Sequence, residues 1–239
     1  MPPFLDYGFM LETLPQIAAF IPVTLNLTVV SMAFAMVIGL ATALARLYRV
    51  PLARQLAGFY ISFIRGTPLL VQMYLAYYGI PKVLDHLAGH SGWTINVNGI
   101  PAIVFVYVSL SLNVGAYLSE TIRAAIEAVD KGQMEAALSV GMSRWQGLRK
   151  IVLPQALVIA LPNFGNTLIS MLKDTSLAFM VSIVEMMGEA KLVGARSLQF
   201  FEVYIVVALL YWAVCLIIEY GLTRLEGRCN RHRAVASAT

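Results

Sequence analysis

The amino-acid sequence predicts an all-α integral membrane protein with five transmembrane helices, its N-terminus outside and its C-terminus inside. Three observations carry this. Of 239 residues, 59% are hydrophobic and 13% charged, where soluble domains are charged at about a quarter of positions; a mean hydropathy of +0.75 leaves more apolar surface than so small a core can hide. Five long stretches carry little or no charge, as helices crossing ~30 Å of hydrocarbon require. Finally, the basic residues gather on one side of those stretches.

The first stretch, residues 13–45, is uncharged and predicts a helix from about Thr24, with Pro15 and Pro22 bending or opening the chain ahead of it. Residues 55–80 form the second, apolar apart from Arg65. The third, residues 91–119, is uncharged, and its helical pattern runs on through Arg123 towards Val129. Residues 151–172 are uncharged and are predicted to be broken at Pro154, Pro162 and Gly165. Residues 203–218 complete the set, with Tyr204, Tyr211, Trp212 and Tyr220 as interfacial aromatics.

No Lys or Arg precedes Arg46, whereas Arg46, Arg49 and Arg54 follow the first stretch and Arg224, Arg228, Arg231 and Arg233 follow the last. The positive-inside rule then puts the N-terminus outside, and five crossings put the segment with Lys131, Arg144, Arg149 and Lys150 inside. All but four of the 17 basic residues (Lys82, Lys173, Lys191 and Arg196) fall on the inner side. The net charge of +4 thus records orientation, and nucleic acid is not needed to explain it. No basic n-region opens the chain, so the first span is expected to be a permanent anchor. Cys215 and Cys229 have neither disulfide-framework nor metal-ligand spacing, and His86 and His90, with Asp85 and Trp93 in an outer loop, are assigned nothing.

Between the third and fourth spans, residues 130–154 predict two short helices around a hinge. Asp130 with Gln133, and Ser143 with Gln146, have capping-box spacing, and Gly141 permits a left-handed turn. Ala136 and Ala137 allow another surface to come close, and Trp145 among Arg144, Arg149 and Lys150 offers an aromatic anchor with a basic rim. On these grounds the loop either docks a protein or lies on anionic lipid headgroups.

Glu135-Ala136-Ala137, Gly141, Ile151 and Leu153-Pro154 resemble, at every defining position, the EAA loop of the membrane subunits of binding-protein-dependent ABC importers. The stretches at residues 60–72, 111–120 and 172–177 are similar to the polar amino acid uptake branch of that family, the histidine, glutamine and cystine permease type. The likeness runs from about Thr24 to Arg228 and implies the type I importer permease fold. It divides the chain into an outer segment (1–23), a permease domain (24–228) and a basic inner tail (229–239). It implies a multi-pass protein of the bacterial cytoplasmic membrane. The loop becomes a coupling helix, with Glu135, Ala136, Ala137, Gly141 and Trp145 contacting or shaping contact with a cytoplasmic ATPase dimer. A second permease subunit, identical or related, and an extracytoplasmic solute-binding protein complete the assembly. The chain has no GxxxxGK[ST] loop to cradle nucleotide phosphates, so no cofactor is expected on it; ATP and Mg belong to the ATPase.

Polar groups at membrane depth are functional candidates. Arg65, beside Gly66, Thr67 and Pro68, either snorkels or pairs with Glu120 or Glu127. Asn113, Tyr117 and Glu120 share one helical face, and Glu120, Arg123 and Glu127 have ion-pair spacing. Asn113 either satisfies itself against a neighbouring helix or meets a zwitterionic solute. Lys173-Asp174-Thr175-Ser176 follows the expected helix break, a setting in which transporters build sites for charged solutes; Lys173 and Asp174 either complement an amino acid's two charges or pair with each other. In the family this segment lies along the translocation path, with Asn113, Tyr117 and Gln72 as further path residues. Tyr74, Tyr77 and Tyr78 line the same path or form an aromatic belt. The leading expectation is a permease for polar amino acids, L-cystine or a related sulfur amino acid among them, moved by alternating access, with no covalent chemistry. The alternatives are an ion-coupled secondary amino acid transporter and a non-transporting membrane scaffold.

Overall fold

The computed structural model describes residues 4–91 and 99–236, apart from the side chains of residues 90–91 and 229–236. Trp93 and the side chains of His90, Cys229, Arg231 and Arg233 therefore lie outside the described residues. The chain folds into eleven described α-helices: α1 (Tyr7–Ala18), α2 (Ile21–Leu47), α3 (Pro51–Gly66), α4 (Leu69–Tyr74), α5 (Ile80–Ser91), α6 (Ala102–Glu127), α7 (Lys131–Ser139), α8 (Arg144–Gly147), α9 (Leu153–Asp174), α10 (Met186–Ser197) and α11 (Phe200–Ala236). Among the described residues four helical stretches are long and apolar enough to cross a membrane: Ile21–Leu47, Ala102–Glu127, Arg144–Val181 and Phe200–Arg228.

The expected span at residues 55–80 is not one helix. Thr67 and Pro68 are extended between α3 and α4, because proline lacks an N–H and disfavours helical geometry in the residue before it. Gln72 stitches the break: its Nε2 donates to the carbonyls of Ile64 (2.8 Å) and Thr67 (2.9 Å) and to Thr67 Oγ1 (2.9 Å). A π-helical turn, Leu75–Gly79, then leads into α5.

The expectation for residues 151–172 needs the opposite correction. Helix α9 runs unbroken past Pro162. Pro154 lies just after a π-helical turn, Leu148–Val152, where the altered hydrogen-bond register accommodates its missing N–H. Gly165 serves close packing, since a Cβ there would lie 3.0 Å from Leu222 Cδ1 on α11. The backbone changes only at Thr175–Val181, a 3-10 turn ended by Ser182 at φ 66°.

Helices α2 and α6 run parallel and make the central pair, as shown by Ser111 Oγ donating to the Ser31 carbonyl (3.2 Å) near mid-helix and Arg46 meeting Glu120 near the shared C-terminal end. Their approach is set by two glycines. A Cβ on Gly39 would fall 2.9 Å from Leu118 Cβ and 3.2 Å from the Gly115 carbonyl; one on Gly115 would fall 2.9 Å from Ile38 Cγ2. Small residues that let backbones meet are how helices gain contact where lipid removes the hydrophobic drive. Helix α9 packs on this pair through Ala156, Ala160 and Phe164 against Ile122 and Ala125. Helix α3 is tied on by Tyr60 Oη, which donates to the Leu112 carbonyl (2.5 Å). At the other end α1, α10 and α11 share a core of Ile17, Met186, Ala190 and Val203.

Gly39→Ala is expected to lower the melting temperature of the detergent-solubilised chain by an amount equivalent to ~1–3 kcal/mol, the usual cost of overpacking. Gly58→Ala, where nothing lies within 4 Å, should be neutral or stabilising. Equal melting temperatures for both variants would show that the glycine contact does not set the helix spacing.

Candidate functional site

Between α6, α9 and the α3–α4 break lies a groove of about 600 Å³. Helix α9 supplies most of its polar wall. Asn163, Asn166, Thr167, Ser170 and Asp174 recur at helical spacing and all border it. Asn113, Tyr117 and Thr121 from α6 face them, and Thr67 and Pro68 come from the break. Among the described residues, Asp174 is the one carboxylate on the lining and no Lys, Arg or His borders the groove. The wall thus presents one anionic group among amides and hydroxyls, a set suited to a small solute carrying an ammonium.

The expected path residues divide. Asn113 is buried, and its Nδ2 donates to Gln72 Oε1 (2.9 Å), so it satisfies itself against a neighbour while bordering the groove. Gln72 is consumed in this contact and in bridging the break, and does not border the groove. Tyr117 does, and the Arg65 guanidinium lies 5.4 Å from its ring centroid. That placement corrects the expected pairing of Arg65 with Glu120 or Glu127: Glu120 is taken by Arg46 and by Arg123 (2.9 Å), and Arg123 also holds Glu127 (2.8 Å). Glu120 thus shares the face of Asn113 and Tyr117 but is engaged in an ion-pair ladder, as its spacing predicts, and does not border the groove. Lys173 is exposed, borders nothing in the groove and makes no ion pair with Asp174 among the described residues, because neighbouring residues on a helix point about 100° apart. Thr175 is buried, its Oγ1 donating to the Leu172 carbonyl (2.7 Å), and neither it nor Ser176 reaches the lining. Tyr77 packs edge-on to Phe105 (5.8 Å between centroids), while Tyr78 is exposed.

The EAA loop has the two-helix form that its caps predict. Ser143 Oγ accepts from Gln146 N (3.2 Å) and Gln146 Oε1 from Ser143 N (2.8 Å), a full capping box. Asp130 caps α7 through Gly132 N (2.7 Å), but no box closes there: Gln133 Oε1 instead accepts from Gln155 on α9 (3.2 Å). Gly141 takes φ 82°. Glu135, Ala136 and Trp145 are exposed, whereas Ala137 is buried against Gly147. The second alanine therefore admits the loop's own α8.

A fully buried carboxylate escaped the sequence reading. Glu185 is fully buried at the start of α10, its Oε1 accepting from Gly188 N (3.0 Å) and its Oε2 from Thr24 Oγ1 (3.1 Å) and Tyr211 Oη (2.6 Å). It joins α2, α10 and α11. Burial pushes its carboxyl above the usual range, with the Tyr211, Gly188 and Thr24 hydrogen bonds pulling it back. The α9 stripe was also missed, although five polar residues at helical spacing in an apolar span are a readable signal; the expected break at Pro162 hid it.

Residues 13–231 match the model of the family described as the binding-protein-dependent transport system inner membrane component. Among curated relatives, the L-cystine transport system permease protein TcyL of Bacillus subtilis is 41% identical, over 95% of this chain and 93% of TcyL. The probable amino-acid ABC transporter permease protein PatM of Vibrio harveyi is 38% identical, over 95% of this chain and 97% of PatM. A crystal structure of an amino acid ABC transporter with histidines superposes with a TM-score of 0.79 at 33% identity, covering 95% of this chain and all of that one. The inward-facing MetNI methionine ABC transporter shares the fold alone, with a TM-score of 0.71 at 18% identity over 91% of this chain and 98% of that one. The chain belongs to the binding-protein-dependent transport system inner membrane component family. It is accordingly a membrane-embedded ABC transporter permease subunit and not an enzyme, ATP hydrolysis residing on a separate subunit.

Removing the Glu185 carboxylate strands Tyr211 Oη and Gly188 N, so Glu185→Ala should cost on the order of 3 kcal/mol. Glu185→Gln should cost less, since an amide keeps an acceptor. Because the folded pKa is raised, Glu185 contributes stability that is fully present below its unfolded pKa and lost as pH rises through the folded value. Melting temperatures from about pH 4 to about pH 8 should therefore fall more steeply in the wild type than in Glu185→Gln; parallel curves would show that Glu185 does not titrate with folding.

Proposed function

We propose that the chain is the permease subunit of an ATP-driven importer for polar amino acids, in which the groove beside Asp174 is one half of the translocation path and the EAA loop is the contact with the motor. One observation carries this: α9 bears the polar stripe of the groove and is continuous with the loop helix that bears Trp145. On this proposal Asp174 meets the solute's ammonium, and Asn163 and Asn166, exposed at the rim, meet its carboxylate with amide donors. Lys173, Thr175, Ser176 and Gln72 support the path from behind the lining, while Asn113 and Tyr117 border it.

The assembly contains a cytoplasmic ATPase dimer carrying ATP and Mg, a second permease subunit and an extracytoplasmic binding protein. Glu135, Ala136, Gly141 and Trp145 form the docking surface, with Ala137 holding α7 on α8. The permease domain, residues 24–228, spans a bacterial cytoplasmic membrane five times; the stitched α3–α4–α5 segment is the additional crossing, residues 1–23 lie outside and the basic tail inside. L-cystine is the favoured solute, because TcyL is 41% identical and TcyB, a second L-cystine permease protein of B. subtilis, is 38% identical.

In proteoliposomes with ATPase and binding protein, Asp174→Asn should reduce solute uptake by at least about tenfold, a loss of ~1.4 kcal/mol, with subunit assembly unchanged. Normal uptake kinetics would remove Asp174 from the path. Glu135→Arg or Gly141→Asp should abolish substrate-stimulated ATP hydrolysis by the assembled complex, and its survival would exclude the loop as the coupling element. Uptake of labelled L-cystine measured against glutamine tests the solute.

A further inference from the structure

The corner where α2 turns into α3 concentrates more positive charge than its carboxylates neutralise. Arg46, Arg49, Arg54 and Arg123 line a crevice of about 250 Å³ with Leu47 and Glu127. Glu120 binds Arg46 and Arg123, and Glu127 binds Arg123, so two carboxylates stand against four guanidinium groups. Arg49 and Arg54 are exposed and make no ion pair among the described residues. They also line a second hollow of about 510 Å³, with Pro51 and Gln55, at the same corner. Like charges held together on both sides of a turn repel one another unless an anion sits between them.

The backbone at this corner is unusual. Arg49 adopts φ 54°, a left-handed conformation that glycine or asparagine takes more readily. It closes α2 by donating to the Arg46 carbonyl (3.3 Å), while Val50 N reaches the Ala45 carbonyl (3.3 Å). This is the left-handed ending common at helix C-termini, and it holds Arg49 at the corner. From the corner an apolar stripe, Leu52, Leu56, Phe59 and Phe63, descends one face of α3 at helical spacing, every member exposed, Phe59 by 73%. The rings of Phe59 and Phe63 stack with centroids 6.2 Å apart. A free phosphate would use the arginines and leave this stripe idle. A phospholipid engages both, with its phosphate on Arg49 and Arg54 and an acyl chain along α3.

We propose that the α2–α3 corner binds the phosphate group of an anionic membrane phospholipid. The site is distinct from the polar groove and adjoins the EAA loop, since Leu47 and Glu127 also border a hollow with Lys131 and Arg144; it requires only that the chain be embedded in a bilayer. The test is the melting temperature of the full chain in detergent, titrated with phosphatidylglycerol, phosphatidylcholine or inorganic phosphate, for wild type and for Arg49→Gly/Arg54→Gln. Glycine suits the φ of position 49, so the variant should fold at least as well as the wild type without lipid. Phosphatidylglycerol should stabilise the wild type at lower concentration than phosphatidylcholine, and its apparent affinity should fall about fivefold for each arginine removed. Lys82→Gln/Lys191→Gln, with the same loss of charge elsewhere, should keep the preference. Equal response to the two lipids, or an unchanged preference in the arginine variant, overturns the site; stabilisation by inorganic phosphate as strong as by phosphatidylglycerol overturns the lipid as its occupant.

Discussion

The close approach of α2 and α6 at Gly39 and Gly115 is the contact on which the rest of the fold depends. In a bilayer, helices gain little from hiding apolar side chains, and packing distance decides whether neighbours hold together. With no Cβ at either glycine the backbones come near enough for Leu118 and Ile38 to interlock, and the pair becomes the wall onto which α3 and α9 are laid. Its parallel direction places Arg46 beside the Glu120–Arg123–Glu127 ladder at one end and Thr24 beside Glu185 at the other. Ionic contacts thus close one end and a buried carboxylate, satisfied by hydroxyls and a backbone amide, closes the other.

That frame fixes where polar groups can stand. The α3–α4 break releases backbone that would be costly in hydrocarbon, and the structure answers with Gln72, which recaptures two of the freed carbonyls and holds Asn113. The result is an irregular segment without loose ends, able to border a groove. Opposite it, α9 stays regular through Pro162 and presents amides, hydroxyls and one carboxylate in line. An irregular wall facing a regular one leaves a hollow whose polar lining comes mostly from α9, with Asn113, Tyr117 and Thr121 of α6 and Thr67 of the break completing it.

Much of this was legible in the residues. The EAA loop could be read to its caps and its left-handed glycine, because capping chemistry is local and Ser143, Gln146 and Gly141 report their own geometry. The ion-pair ladder followed from spacing alone. What failed was whatever depended on the neighbour across the gap. Proline at 162 looks like a break in sequence, yet its cost is absorbed when flanking helices hold α9 in place. Lys173 and Asp174 look like a pair, yet a helix sends them to different faces. Of the two settings expected for Arg65, snorkelling or a carboxylate partner, the second fails because Arg46 and Arg123 already occupy Glu120 and Glu127. Glu185 carried no signal because two of its three partners, Thr24 and Tyr211, stand on other helices that only folding brings to it.

The unbroken passage from Arg144 to Val181, 38 residues, has a mechanical consequence. The π-helical turn Leu148–Val152 joins α8 to α9 without a flexible link, and Ala137 against Gly147 clamps α7 to its side. At 1.5 Å rise per residue, Trp145 and Asp174 are on the order of 40 Å apart along one rod. Any tilt of this rod moves Trp145 and Asp174 together, without a relay through side chains between them.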